Sequence, residues 1–328
     1  MTPHELRAPF DAATPLTVGV EEELMLVDAE TLDLAPRAPE LLRALGGDER
    51  FKLELPAAQL EVITAPAARV SDAAGALARG RSDLATVAAA AGLRVIGAGA
   101  HPFASAVGEL NAGERYDATR AEYGEMAYRQ LVCGLHVHVA VGDADRALAV
   151  HDSLRSHLPE LAALAASAPF HEGRDTGLAS MRPKIAELLP RQGVPPALGG
   201  WAAYAEALRW GRAAGGVPEP RRWWWELRLH PLHGTVEVRV PDTQATVAHA
   251  AALAGIVHAL VAWLDERVAG GETLPVDATW RIGENRWSAC RHGLEGTMAD
   301  LVTGEREPTR ARVMRLLDTL APVAERLA

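Results

Sequence analysis

The sequence predicts an α+β fold built on a β-sheet with one aliphatic and one ionisable face. Two observations carry that prediction. Four segments rich in branched residues alternate aliphatic side chains with carboxylate, imidazole or guanidinium groups, and stretches of helical length separate them. The first such segment, residues 17–27 (TVGVEEELMLV), sets three consecutive carboxylates in an apolar strand. Side chains alternate faces along a strand, so Glu21 and Glu23 share one face and Glu22 takes the other. Burying unpaired carboxylates is costly, so that face calls for cations, protons or hydrogen bonds. A half-exposed edge strand with solvated acids accounts for this one segment equally well.

The remaining elements follow in chain order. Residues 53–64 (LELPAAQLEVIT) read as a strand region interrupted near Pro56, with Glu61 sharing a face with Gln59 and Ile63. Ser71 is placed to cap an alanine-rich helix that stops at Gly92. Residues 94–96 suggest a short strand leading into a glycine-rich turn at 97–102, which lacks phosphate-loop spacing. Residues 113–130 read as helix, carrying Tyr116, Tyr123 and Tyr128. Residues 131–141 (LVCGLHVHVAV) form a strand with His136 and His138 on one face and Leu135, Val137 and Val139 on the other. Helix follows over 145–167, then a polar loop over 170–177. Proline and glycine make 189–200 and 214–222 loops. Residues 223–228 (WWWELR) and 234–240 (GTVEVRV) read as two strands around a turn at 230–234, the tryptophans serving packing. Helices over about 243–267 and 307–327 complete the chain.

Composition narrows the function classes. The 328 residues show no internal repeat and no clear linker, which predicts a tail at 1–14 and one domain over 15–328. A net charge of −10 argues against nucleic acid as a partner. Two cysteines, Cys133 and Cys290, cannot build a disulfide framework, and no apolar leader precedes Pro15, so a cytoplasmic setting is expected. Residues 243–264 carry no charge and are long enough to span a membrane. Their alanine content, with Gln244, His249 and His258, favours a packed soluble helix instead, and no membrane partner is expected. A symmetric homodimer is the default expectation for assembly.

The ionisable faces carry Glu21 and Glu23, Glu61, His136 and His138, and Glu237 with Arg239. They are nearly free of lysine, unlike an ordinary solvated sheet face. Carboxylates with some imidazole suit magnesium or manganese, and this reads as a metal-binding concave face. On its own, the His136-x-His138 pair fits a structural histidine or a zinc hydrolase as well. Arg174, Arg182, Arg239, Arg286 and Arg291 recur in glycine-punctuated segments and together suit phosphoryl transfer. No nucleotide fingerprint motif accompanies them. Cys133 reads as a small buried residue.

Seven stretches in order resemble the bacterial carboxylate–amine ligases of the second glutamate–cysteine ligase family. They are VGVEEEL (18–24), QLEVITAP (59–66), GAGAHPF (97–103), CGLHVHV (133–139), EGRDTGLASMR (172–182), TVEVRVPD (235–242) and ENRWSACRHGLEG (284–296). The resemblance implies a glutamine-synthetase-like catalytic fold, with a curved, mainly antiparallel sheet and helices packed on its outer face. It implies ATP and two or more Mg2+ or Mn2+ ions, acting on small amino-acid substrates. By the same resemblance Glu21, Glu23, Glu61, His136 and Glu237 are the expected metal ligands. Arg239 and Glu237 are the expected catalytic pair, and Arg239, His138 and Arg286 contact the nucleotide. Arg174, Arg182 and Glu54 are the expected substrate contacts. Glu226 stands where such proteins typically have aspartate, His171 where an aromatic is usual, and the chain is short for the family.

The implied activity is ATP-dependent amide formation through an acyl phosphate, with glutamate and cysteine as the default pair. Three rivals fit the same residues: a guanidino phosphotransferase of the same fold, a metal-dependent hydrolase, and a non-catalytic nucleotide- or metal-binding protein.

Overall fold

A computed structural model describes residues 1–216 and 222–328. In chain order its strands are β1 (Val18–Asp28), β2 (Phe51–Leu53), β3 (Gln59–Ile63), β4 (Leu93–Ile96), β5 (Leu135–Ala140), β6 (Phe170–His171), β7 (Arg174–Asp175), β8 (Leu227–His230), β9 (Thr235–Val238), β10 (Thr297–Ala299) and β11 (Arg306–Pro308). The helices are α1 (Pro3–Ala12), α2 (Ala38–Ala44), α3 (Val70–Ala90), α4 (Glu114–Tyr123), α5 (Glu125–Tyr128), α6 (Ala144–Leu154), α7 (Leu158–Ala165), α8 (Arg182–Ala186), α9 (Trp201–Ala213), α10 (Val247–Ala269), α11 (Thr279–His292) and α12 (Thr309–Leu327). Seven strands make the main sheet in the order β2-β3-β1-β5-β9-β8, with β4 joined to the C-terminal end of β1. Every pairing in it is antiparallel, so the expected α+β architecture is the observed one.

The strand alternation sorts the two faces. Val18, Val20, Leu24, Leu60, Val62, Leu135, Val137, Val139, Val236 and Val238 are all buried in one core cluster, under α3, α6 and α10. Each such side chain contributes about 1.5–3 kcal/mol by leaving water. Helix α3 comes very close to the sheet because Gly80 has no side chain: a Cβ there would meet Val62 Cγ1 at 2.5 Å. The helix ends where Gly92 adopts φ +73°. Its N-cap is Arg69, with Ser71 already inside the first turn, so the expected serine cap does not form.

Helix α10 is long and apolar enough to cross a membrane, yet over half of that window (56%) is buried inside the fold. It starts at Val247 rather than near 243, because Thr246 Oγ1 accepts from the His249 N–H at 3.2 Å and fixes the cap there.

Four further differences have physical causes. The predicted tail at 1–14 contains helix α1, closed by a Thr2/Glu5 capping box. Its Leu6 and Phe10 are buried, and Phe10 packs 5.3 Å from Trp201 on α9. The turn before β9 accommodates it, since Gly234, at φ +64°, lies directly against the Pro9 backbone. The predicted helix over 113–130 breaks at Gly124 (φ +53°) into α4 and α5. The polar loop at 170–177 closes into the β6–β7 hairpin. The tryptophans at 223–225 precede β8 instead of forming it: aromatic strand propensity yields there to packing of Trp223 on Tyr204, 5.2 Å apart. The predicted loop at 214–222 falls largely on residues 217–221, outside the described residues.

Candidate active site

The ionisable face of the sheet is continuous. Across it Glu61 stands opposite Glu23, Glu21 opposite His136, His138 opposite Glu237, and Glu237 opposite Arg228. The row thus crosses β3, β1, β5, β9 and β8. It borders a cavity of about 540 Å³ whose walls include Glu21, Glu23, Glu54, Glu61, His136 and Arg239. His138 and Glu237 are buried behind that wall, His138 against Glu21 and Glu237 against Arg239. Strand β2 brings Glu54 back over the acidic end, because the chain turns at Pro56 between β2 and β3.

The two ends of the row differ in charge. At the first end Glu23, Glu54 and Glu61 each place a carboxylate oxygen within 4.8 Å of the others. Burial, reinforced by the Glu23 charge, pushes the Glu54 carboxyl up to about 8. Burial and the charges of Glu54, Glu21 and Glu23 push Glu61 well above the usual carboxylate range. At the other end Glu237, fully buried, is held well below that range: burial opposes ionisation, but the Arg228 and Arg239 guanidinium groups outweigh it. Arg239 Nη1 donates to Glu237 Oε1 at 2.6 Å and approaches His136 Nδ1 at 3.2 Å. Arg228 pairs with both oxygens of Glu237. Between the ends sits Glu21, 3.5 Å from His136 and 3.4 Å from His138. Burial raises its pKa, but those two imidazoles more than reverse the shift.

This donor set fits divalent cations. Glu21–Glu61–His136 and Glu21–His138–Glu237 form two further groups with ligand atoms within 4.8 Å. His136 Nε2 and His138 Nε2 are buried without a hydrogen-bond partner. A surplus of half-buried carboxylates beside unsatisfied imidazole nitrogens is what oxygen-preferring cations such as Mg2+ or Mn2+ would compensate. The Glu23 side chain is held in a ligating position, because Gly134 N donates to Glu23 Oε2 at 2.5 Å. A Cβ on Gly134 would collide with the Arg182 guanidinium, so a larger residue there would displace that side chain from its place in the cavity wall.

The other predicted contacts separate. Arg182 lines the cavity while donating to the Val240 and Arg239 carbonyls, both at 3.2 Å. Arg174 is exposed on the β6–β7 hairpin, away from the cavity wall. Arg286 is buried in a bidentate pair with Glu226 (2.6 and 2.9 Å), so its guanidinium is taken up in packing α11 against the chain before β8. Burial pushes the Cys133 thiol up, consistent with an inert core residue. Arg228, Lys52, Arg115, Tyr116 and Trp224 also line the cavity, and the sequence reading misses them. For Arg228 a signal exists: extending the period-two reading through 227–230 places it on the ionisable face.

The profile of glutamate-cysteine ligase family 2 (GCS2) matches residues 17–327. A Rubrobacter xylanophilus protein provisionally named glutamate–cysteine ligase 2-3 is 39% identical over 97% of this chain and 87% of its own length. A Frankia alni protein provisionally named glutamate–cysteine ligase 2-1 is 33% identical over 98% of this chain and 86% of its own. Among solved structures, glutamate–cysteine ligase from Francisella tularensis in complex with AMP superposes with a TM-score of 0.69 at 13% identity, covering 94% of this chain and 78% of that one. A bifunctional glutathione synthetase from Pasteurella multocida gives 0.65 at 14% identity, over 99% of this chain and 48% of that one. At these identities the solved structures share the fold.

Proposed function

The chain belongs to glutamate-cysteine ligase family 2 and is an ATP-dependent ligase of carbon–nitrogen bonds; on that basis we propose that it joins the side-chain carboxylate of glutamate to the amine of cysteine through an acyl phosphate. One observation carries the reading: a single row of side chains runs from a surplus of carboxylates to a pair of arginines across five strands.

A carboxylate is a poor electrophile. One of its oxygens therefore attacks the terminal phosphorus of ATP, the bond to the β-phosphate oxygen breaks, and ADP departs. The amine nitrogen then attacks the activated carbonyl carbon. Phosphate leaves with the electrons of the carbon–oxygen bond, and the nitrogen loses its proton. Arg239 and Arg228 balance the charge on the transferring phosphoryl oxygens, and Glu237 holds both guanidinium groups in register. Glu21, Glu23, Glu54, Glu61 and His136 would hold the divalent ions, with His138 and Glu237 offering a further position. Bound Mg2+ or Mn2+ supplies charge neutralisation at the phosphate oxygens. Positioning and electrostatics perform the work, and no nucleophilic side chain is required.

The test is a matrix of amino-acid pairs with Mg2+ or Mn2+, following ADP and phosphate release and the ligated product by mass. Glutamate with cysteine is expected to give an amide with one ADP per product. A folded, metal-binding protein that consumes no ATP with any pair overturns the reading.

A further inference from the structure

The cavity has an aromatic wall at its basic end to which the ligation chemistry gives no role. Trp224 lines the cavity three residues before β8. Two neighbours fix its ring: the Arg191 guanidinium lies 5.7 Å from the ring centroid, and Tyr123 from α4 meets it edge-on at 5.7 Å. Arg191 is itself anchored, donating to the Tyr123 hydroxyl at 2.8 Å and to the Arg222 carbonyl at 3.2 Å. It adopts φ +62°, a conformation that non-glycine residues hold only when their surroundings impose it. The indole is therefore a preorganised plate with part of its surface turned to the cavity. Leu189, Gln192 and Arg222 line the wall around it, which offers apolar cover with an amide and a guanidinium beside it.

The plate is tied to the phosphate end. Arg228, which shares Glu237 with Arg239, also donates to the Trp223 carbonyl at 3.3 Å. The opposite end is crowded by Glu23, Glu54 and Glu61, and its aromatic residue, Tyr116, has its hydroxyl committed to the Leu53 carbonyl at 2.8 Å. A flat, neutral, nitrogen-rich ring joined to a polyphosphate matches the end that offers an aromatic face beside arginines, and the acidic end repels its phosphates.

We propose that Trp224 is the stacking platform for the purine of ATP, with the base against the β8 edge of the cavity and the phosphates running toward Arg228 and Arg239. This rests on the ATP-dependent reading above and adds to it the site of the base. Stacking on an aromatic ring gives affinity that a polyphosphate without a base cannot use.

The experiment is calorimetric titration of the full chain with ADP and, separately, with inorganic tripolyphosphate, both with Mg2+ present. Trp224→Leu keeps apolar bulk but removes the aromatic face, and Trp224→Phe keeps a ring. The Leu variant is expected to bind ADP about tenfold or more weakly, with tripolyphosphate affinity within about twofold of the parent chain. The Phe variant is expected to stay within about threefold for ADP. Unchanged ADP affinity in the Leu variant overturns the proposal, and so does an equal loss for tripolyphosphate, which would mark Trp224 as structural. An unsubstituted chain that binds tripolyphosphate but shows no gain from the adenosine group also overturns it while leaving the ligase reading in place. A chain that binds neither probe removes the nucleotide reading itself.

Discussion

Strand β1 presents the same residue type to two environments. Glu22 points to the helix side, where it is fully buried and answered one for one: Arg81 on α3 donates to its two oxygens at 2.6 and 2.5 Å. Arg81 also ties the Gln244 and Ala245 carbonyls, joining sheet, α3 and the entry to α10. Glu21 and Glu23 point to the other side, where carboxylates outnumber the cations that touch them at the Glu54–Glu61 end. A buried charge with a matched partner is part of the scaffold. A surplus of like charges held together by a rigid sheet is a place for something that is not part of the chain.

The largest expected effect lies on the surplus side. Glu23→Gln and Glu61→Gln should each reduce turnover by about 10²–10³-fold or more, the scale expected when a group that stabilises developing charge is removed. The metal-free melting temperature should stay level or rise, because Gln removes like-charge repulsion at Glu23 and the cost of burying an ionisable carboxyl at Glu61. The upward shift of melting temperature caused by Mn2+ in the parent chain should shrink in both variants. A metal-free melting temperature that falls in either variant would show that these acids, like Glu22, support the fold.

The second effect lies on the matched side. Glu22→Ala should cost about 2–4 kcal/mol in urea unfolding, because it leaves the half-buried Arg81 guanidinium without its carboxylate. Activity per folded molecule should remain within a few-fold of the parent chain. Replacing both partners together, Glu22→Leu with Arg81→Met, should recover much of the loss. Failure to recover would mean that the Arg81 bonds to Gln244 and Ala245 matter more than the ion pair.

The smallest effect concerns His258, packed behind the sheet on α10 with Nε2 donating to the Leu16 carbonyl at 2.9 Å. Burial lowers its pKa below the ordinary 6.5, the Leu16 bond opposing only in part. Below pH 6.5 the unfolded chain therefore takes up a proton that the folded chain refuses, and stability falls as pH falls. The slope from this group is positive and lies below the one-proton limit of about 1.4 kcal/mol per pH unit. The difference in unfolding free energy between the parent chain and His258→Gln, measured from about pH 7.5 to 5.5, should carry that slope. A flat difference would show that the imidazole is protonated in the folded chain.

Much of the site face is legible in the sequence because strands alternate with period two. That rule separates Glu22 from Glu21 and Glu23, sets His136 beside His138, and puts Glu237 with Arg239. It cannot say which strands adjoin, so Glu54 reads as a substrate contact, although it comes within ligand distance of Glu23 and Glu61. Arg228 escapes because three tryptophans mimic a strand and shift the expected element toward the N-terminus. Arg286 and Arg174 are gathered into the site by their glycine-punctuated segments and by the family resemblance. The buried Glu226 claims the first, and an exposed hairpin carries the second.

The sequence by itself determined which side chains face together, because alternation and helical spacing are local properties of the backbone. It also determined the family, because motifs in fixed order survive where overall identity does not. Only the tertiary structure decided which acids are matched and which are left over. That depends on antiparallel register between strands far apart in the chain, such as Glu23 with Glu61 and His138 with Glu237. It also depends on which arginine a packed helix delivers to which face, and a charge is structural or available for chemistry only relative to the partner that reaches it.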